Sequence, residues 1–349
     1  MQIRINRNDI IILGLIISVI GLAIFFVVKY QPATSSTTNP VNLNTTSADS
    51  FTFDIQADPH MDENSDAATY KQTLANIVSD NPSFLIDLGD IFMVDKLSNK
   101  SATNITNRYT MMKSYYDLLG STPLYFAMGN HDGEVGWDSL NTKSYRKTYF
   151  PNQTYDKNYY SFTQNSSLFV VLDPFTYTTT KPDYDSWNWT LGKQQYDWLS
   201  TTLKNSSAKY KFVFIHQLVG GDNQGRGGVE VAKYFEWGGK NLDGSDGFNA
   251  HRSDWGEPIH QLLVDNKVNA VFKGHDHLYA KQELDGIIYQ TLPQPSHAGD
   301  KLTATYSYQS GTILGGSGHL RLTENSSGVR VEFVKANTTK DIVDLYTIQ

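Results

Sequence analysis

Apolar positions along the chain fall into short runs whose spacing switches between two periods. Phe51–Ala57 alternates apolar and polar residues, which predicts a strand. Ala67–Val78 carries the helical period, with Asp66 placed to cap it. Phe84–Leu88 predicts a short apolar strand, and Ile105–Leu119 a helix that stops at Gly120. Pro123–Met128 predicts the next strand. Tyr159–Phe162 and Leu168–Leu172 predict a hairpin turning across Asn165-Ser166. A helix is expected over Gly192–Leu203, a strand over Lys211–Ile215, a helix over Pro258–Val264 and a strand over Ala270–Phe272. Further strands are expected near 287–291, 319–323 and 329–334. A βαβα beginning succeeded by β-rich segments implies an α/β protein of two packed sheets with helices outside. The glycine-rich stretch 217–255 breaks this rhythm, and its length predicts a functional lid or a disordered insertion.

The first fifty residues obey another pattern. Residues 10–28 are apolar apart from Ser18 and small glycines, close to the length that crosses a bilayer core. Arg4 and Arg7 precede this run and Lys29 comes directly after it, so the charge bias favours residues 1–9 in the cytoplasm and the rest outside. A cleaved secretory signal is the rival, but Lys-Tyr-Gln-Pro makes a poor cleavage region. The expectation is one transmembrane anchor over 10–28, a flexible Ser/Thr/Asn-rich stalk over 29–50, and a single domain over 51–349. The domain over 51–349 is thus expected outside the cytoplasm, or secreted if the apolar segment is removed. N-x-S/T acceptors at Asn44, Asn99, Asn104, Asn152, Asn165, Asn188, Asn205, Asn325 and Asn337 agree with glycosylation on that side.

Composition narrows the chemistry. The net charge is -7, which does not suit a general nucleic-acid binder. The chain has no cysteine, so disulfides, thiolate zinc sites and thiol nucleophiles are excluded.

The residues at the strand ends carry the functional signal. After the first strand comes Asp58-Pro59-His60; after the second, Gly89-Asp90; after the third, Gly129-Asn130-His131-Asp132. His216 comes after the strand Phe212–Ile215, and Gly274-His275-Asp276-His277 after Val271–Lys273. In open α/β sheets, sites form beyond the carboxyl ends of strands. Asp, Asn and His together suit divalent first-row metals such as Mn, Fe or Zn. Two metals side by side can hold both the attacking and leaving oxygens of a phosphoryl transfer, and Asp90 could bridge them. Gly89, Gly129 and Gly274 allow tight turns beside such a centre.

The ordered set DPH, GD, GNHD, H and GHDH, from Asp58 to His277, resembles the calcineurin-like metallophosphoesterase family. The resemblance implies a four-layer α/β/β/α sandwich of two mixed sheets and two divalent metal ions. It implies that Asp58, His60, Asp90 and His277 hold the first metal. Asp90 would bridge to a second, completed by Asn130, His216 and His275. It further implies a metal-bridging hydroxide as nucleophile. His131 would contact the phosphate or act as general acid, and Asp132 would orient it. Met93 stands where purple acid phosphatases carry a tyrosine, and GNHD replaces their usual GNHE. D-x-H with GNHD is shared with cyclic-nucleotide phosphodiesterases of the bacterial type.

The function expected is hydrolysis of small phosphate mono- or diesters. A nucleotidase or nucleotide-sugar hydrolase is the alternative within the family, and a non-catalytic metal-bearing interaction protein the alternative outside it. Arg226, His251 and Arg252 in the long loop are candidate substrate contacts, since functional loops carry binding groups and arginine clamps phosphate. Trp187, Trp189, Trp237 and Trp255 suit either a hydrophobic rim or packing within the loop. His319 heads a strand and is expected to be structural.

Overall fold

A computed structural model of the chain describes residues 41–42, 50–61, 65–132, 148–150, 157–177, 186–220, 225–299 and 305–349. The chain divides into two units, 1–41 and 42–349, and the helices and strands named below belong to the second. The anchor predicted at 10–28 lies outside the described residues, as do most of the predicted stalk and the acceptors Asn44 and Asn152. Among the described residues no helix is long and apolar enough to cross a membrane.

Strand β1 (Ser50–Gln56) buries Phe53 and Ile55 on one face, while Gln56 on the other face donates to the Tyr70 hydroxyl. Helix α1 (Ala67–Asp80) starts where Asp66 Oδ1 accepts the Thr69 N–H at 2.7 Å, the expected cap. Strand β2 (Leu85–Asp87) comes next. Helix α2 (Ala102–Tyr116) begins a turn earlier than its apolar pattern, because Ser101 caps Asn104 N. It tightens through Asp117–Leu119 into Gly120, whose φ of 63° ends it. Strand β3 (Leu124–Phe126) completes the first half.

Strands β4 (Tyr160–Gln164) and β5 (Ser167–Val171) make the predicted hairpin. Helix α3 (Lys193–Lys204), strand β6 (Tyr210–Ile215), helix α4 (Ile259–Asp265) and strand β7 (Ala270–Lys273) come after it. Strands β8 (Tyr279–Leu284), β9 (Ile287–Thr291), β10 (Thr312–Leu314), β11 (Gly318–Asn325), β12 (Gly328–Lys335) and β13 (Ile342–Ile348) close the chain. The sequence pattern alone does not predict β8, β10 or β13.

One sheet runs β13-β12-β11-β1-β2-β3, and the other contains the order β4-β5-β6-β7-β9-β8-β10. Both are mixed. The parallel runs β1-β2-β3 and β5-β6-β7-β9 sit within them, with antiparallel partners outside. Phenylalanines fill the space between the sheets: Phe53 and Phe84 from one side meet Phe169 and Phe212 from the other. The outer face of the first sheet packs on α1 and α2 through Leu74, Ile77, Tyr109 and Met112. The outer face of the second packs on α3 and α4 through Leu199, Leu203, Leu262 and Leu263. The layers are therefore helix, sheet, sheet, helix.

Residues 225–255 correct the expectation of a lid or disordered insertion. Val231, Phe235, Trp237, Phe248 and Trp255 are buried in the same apolar cluster as α3 and α4. The four tryptophans Trp187, Trp189, Trp237 and Trp255 are all buried, so they pack this segment rather than rim a cleft. The glycines hide this apolar content from a reading by period.

Candidate metal centre

The carboxyl ends of β1, β2 and β3 in one sheet and of β6 and β7 in the other open at the same end of the sandwich. Two contacts lock the ends together. His216 Nδ1 donates to the Leu88 carbonyl at 2.8 Å, and the His275 N–H donates to Asp58 Oδ2 at 2.8 Å. The seven residues expected to be ligands meet there. Asp58, His60 and His277 form one group and Asp90, His216 and His275 another; in each, one potential ligand atom per residue lies within 4.8 Å of the others. Asn130 joins the second group with Oδ1 3.0 Å from His216 Nε2. Asp90 lies between the groups: its Oδ2 is 3.6 Å from His60 Nε2 and 3.2 Å from His216 Nε2.

The donor set fits divalent cations. His60 Nε2 and His277 Nε2 face each other at 3.0 Å. Asp58 Oδ1 stands 3.4 Å from His277 Nε2 and 3.7 Å from His60 Nε2. Donors bound at about 2.0–2.2 Å to one ion stand about 3–3.5 Å apart, so these spacings leave room for a shared ion. His216 spends Nδ1 on Leu88, which aims Nε2 into the cluster, the usual way a backbone carbonyl orients a metal-binding imidazole.

The backbone is bent to achieve this. Asp58, His60, Asp90, His275 and His277 all have positive φ, between 43° and 70°. Such conformations are uncommon outside glycine and collect at functional sites. The intervening glycines are required by contact. A Cβ on Gly129 would lie 2.2 Å from Asp90 Oδ1, and one on Gly274 2.5 Å from Asp58 Oδ2.

Charge is set by this geometry. Burial works against ionisation of Asp58 and Asp90, yet neighbouring imidazoles, His216 foremost, hold both well below the usual carboxylate range. Burial likewise opposes charge on His216, but Asp90 and Asp58 outweigh it and push its pKa up to about 9. Burial, then His216 and Arg226, lowers His275 to about 3, so it stays neutral, the form in which an imidazole ligates a metal.

His131 sits half-buried at this cluster, its ring centroid 5.6 Å from that of His60 and its N–H on Asp90 Oδ1 at 2.8 Å. Asp132, expected to orient His131, holds the neighbouring backbone. The Asp132 carboxylate accepts backbone N–H groups: Asp90 and Gly129 at 2.7 Å on Oδ2, and Ile91 at 3.1 Å on Oδ1. It pins the turns that bear Asp90 and Asn130 to each other. Sequence reasoning also misses Asp87, a buried carboxyl held by Gly89 N, Gln56 and Tyr116 and raised by burial to about 7. Its place three residues before Asp90 is the one local sign of it.

The candidate substrate contacts separate. Arg226 reaches the cluster, donating from Nη1 to the His275 carbonyl at 2.7 Å. Arg252 does not serve as a phosphate clamp: it is buried, with Nε on Glu236 Oε2 at 2.7 Å and Nη2 on the Trp187 carbonyl at 2.6 Å. Its guanidinium is consumed in holding the 235–255 segment to Trp187. His251 stacks on Trp187 at 4.6 Å and belongs to neither ligand group.

A further buried group, Asp54, Asp80 and His319, joins β1, α1 and β11. Arg321 at 2.8 Å and Lys340 already neutralise Asp80, and burial and Asp80 raise Asp54 well above the carboxylate range. That group supplies its own counter-charges, and His319 is structural.

Residues 51–279 match the family model described as calcineurin-like phosphoesterase. A comparison with curated protein sequences gave no match. Solved structures share the fold. A dimetal phosphatase from Danio rerio aligns with TM-score 0.58 and 14% identity over 86% of this chain and 98% of that one. Purple acid phosphatase PPD1 from yellow lupin gives 0.58 and 14%, over 87% of this chain and 54% of the lupin chain. GAP50, the anchor in the inner membrane complex of Plasmodium, gives 0.58 and 13%, over 86% and 89%.

Proposed function

Because the chain belongs to the calcineurin-like phosphoesterase family, we propose that it is a metal-dependent hydrolase of small phosphate mono- or diesters. The observation that carries this reading is the pair of ligand groups joined through Asp90, with His131 half-exposed beside them. Asp58, His60, Asp90 and His277 would hold one divalent cation, and Asp90, Asn130, His216 and His275 the other. Bound there, the cations would supply Lewis-acid polarisation of the ester and acidification of water near neutral pH.

The protein's own residues do the rest. Asp132, the Asp58–His275 contact and the His216–Leu88 contact fix the five turns so that a substrate meets a preformed site. His131 contacts the phosphate or protonates the leaving oxygen. Its N–H on Asp90 ties its position to the carboxylate shared between the groups. Arg226, whose side chain is partly exposed, stands ready at the rim for a phosphate oxygen. A nucleotidase or nucleotide-sugar hydrolase is the narrower alternative. The apolar run at 10–28 and its flanking charges support placing the activity at the outer face of a membrane.

A non-catalytic role is the competing reading, since the fold is shared with a protein described as an anchor. The complete ligand set and His131 favour the enzyme. The test is hydrolysis of nitrophenyl phosphate and bis-nitrophenyl phosphate by the full-length chain with Mn²⁺, beside Asp90→Ala. Turnover that vanishes in Asp90→Ala is expected, and the preferred ester sorts monoesterase from diesterase. A chain that binds Mn²⁺ but hydrolyses neither compound, nor any member of a nucleotide panel, overturns the reading.

A further inference from the structure

We propose that Asp276, clamped by Lys273, Tyr308 and Arg226, is a positioning residue that sets the affinity of the metal centre. This rests on the metal-centre reading above. Asp276 stands between His275 and His277, whose φ values are 70° and 57°. A non-glycine residue held in that region is strained and persists only where its surroundings over-determine it. Two flank a single residue here, so the turn relaxes unless something grips it.

The grip comes from behind the metal centre. Asp276 is fully buried, and its Oδ2 accepts from Lys273 Nζ at 2.6 Å, from Gly227 N at 3.1 Å and from the Tyr308 hydroxyl. Lys273 Nζ also donates to the Gly274 carbonyl at 3.2 Å and to the Tyr308 oxygen at 3.2 Å. Arg226 Nη1 lies 3.4 Å from Asp276 Oδ1 while donating to the His275 carbonyl at 2.7 Å. Tyr308 is tied in turn to Thr291 Oγ1 at 2.9 Å. The two carbonyls that precede Asp276 and its own carboxylate are therefore all held, by groups from three separate stretches of chain.

Stability does not account for this cluster. Both members of the Lys273–Asp276 pair are fully buried, and desolvation of such a pair typically cancels its attraction. The pair provides direction instead. It fixes the turn in the one conformation that aims His277 at Asp58 and His275 at Asp90. Partners of this outer kind typically change metal affinity by about 10–100-fold.

The experiment is Mn²⁺ titration of the full-length chain by calorimetry, with bound metal counted by elemental analysis, for Asp276→Asn and Tyr308→Phe. Tyr308→Phe keeps the buried ion pair and carries the test if Asp276→Asn does not fold. Both variants should bind Mn²⁺ about 10–100-fold more weakly than wild type, and excess Mn²⁺ should restore their phosphoesterase turnover. Wild-type affinity in Tyr308→Phe, or a turnover deficit that excess Mn²⁺ leaves untouched, overturns the assignment alone. A wild-type chain that takes up no Mn²⁺ overturns both this assignment and the functional reading.

Discussion

The backbone N–H of His275 donates to Asp58 Oδ2 at 2.8 Å, joining residues 217 positions apart and fastening one sheet to the other at the metal centre. Asp58 thereby spends one oxygen on structure and presents Oδ1 to the imidazoles of His60 and His277. The contact needs Gly274 beside it, because any Cβ there would stand 2.5 Å from the same Oδ2.

Gly274→Ala should therefore displace Asp58. Overpacking of this kind typically costs about 1–3 kcal/mol. Mn²⁺ uptake should fall together with the midpoint of denaturant unfolding. Normal uptake and an unmoved midpoint would mean that the turn has slack that the geometry does not show.

His131→Ala should lower turnover by about 10²–10⁴-fold, the usual range for a lost general acid, with both metals retained. The deficit should be largest for esters with poor leaving groups, measured as kcat on alkyl against nitrophenyl esters. Equal deficits on both would assign His131 to phosphate contact alone.

Arg252→Ala should act on stability and leave KM alone. It strands Glu236, which is buried beside Thr190 and Leu191 N, without its counter-charge. Breaking one side of a buried pair typically costs about 3–5 kcal/mol. A raised KM with unchanged unfolding would return Arg252 to the substrate site.

Metal binding should release a proton. Asp90 and Asp58 raise His216 from 6.5 to about 9, so in the metal-free chain it is charged at neutral pH. Its charged form stabilises the metal-free fold fully below the unfolded value and ceases to as pH rises through about 9. A metal ligand must be neutral, so Mn²⁺ affinity should climb between about pH 7 and 9. Calorimetry in buffers of differing ionisation enthalpy reads the released proton; a flat affinity over that interval would show that His216 does not exchange a proton for metal.

Much of this protein can be read from its residues in order. The strands β1, β2, β3, β6 and β7 announce themselves because burial on both faces or alternate faces leaves a local apolar period. The groups at their carboxyl ends are named by type and spacing, and turns that bring ligands close must carry glycine at Gly129 and Gly274. Strand β13 gives no such signal because it lies at a sheet edge with Ile342, Val343 and Leu345 exposed, so burial imposes no alternation on it.

Three-dimensional packing settled what no local pattern can encode. It decided that the DPH, GD and GNHD turns belong to one sheet while His216 and GHDH belong to the other. It turned Asp132 onto backbone amides, gave Arg252 to Glu236, and buried Val231, Phe235, Trp237, Phe248 and Trp255 of the glycine-rich segment in the core. Asp132 reaches back to Asp90 and Ile91 and Arg252 reaches Trp187, contacts between residues distant in sequence that give a buried charge or donor its partner. Residue type states what a group can do, and the surrounding fold selects the partner with which it does it.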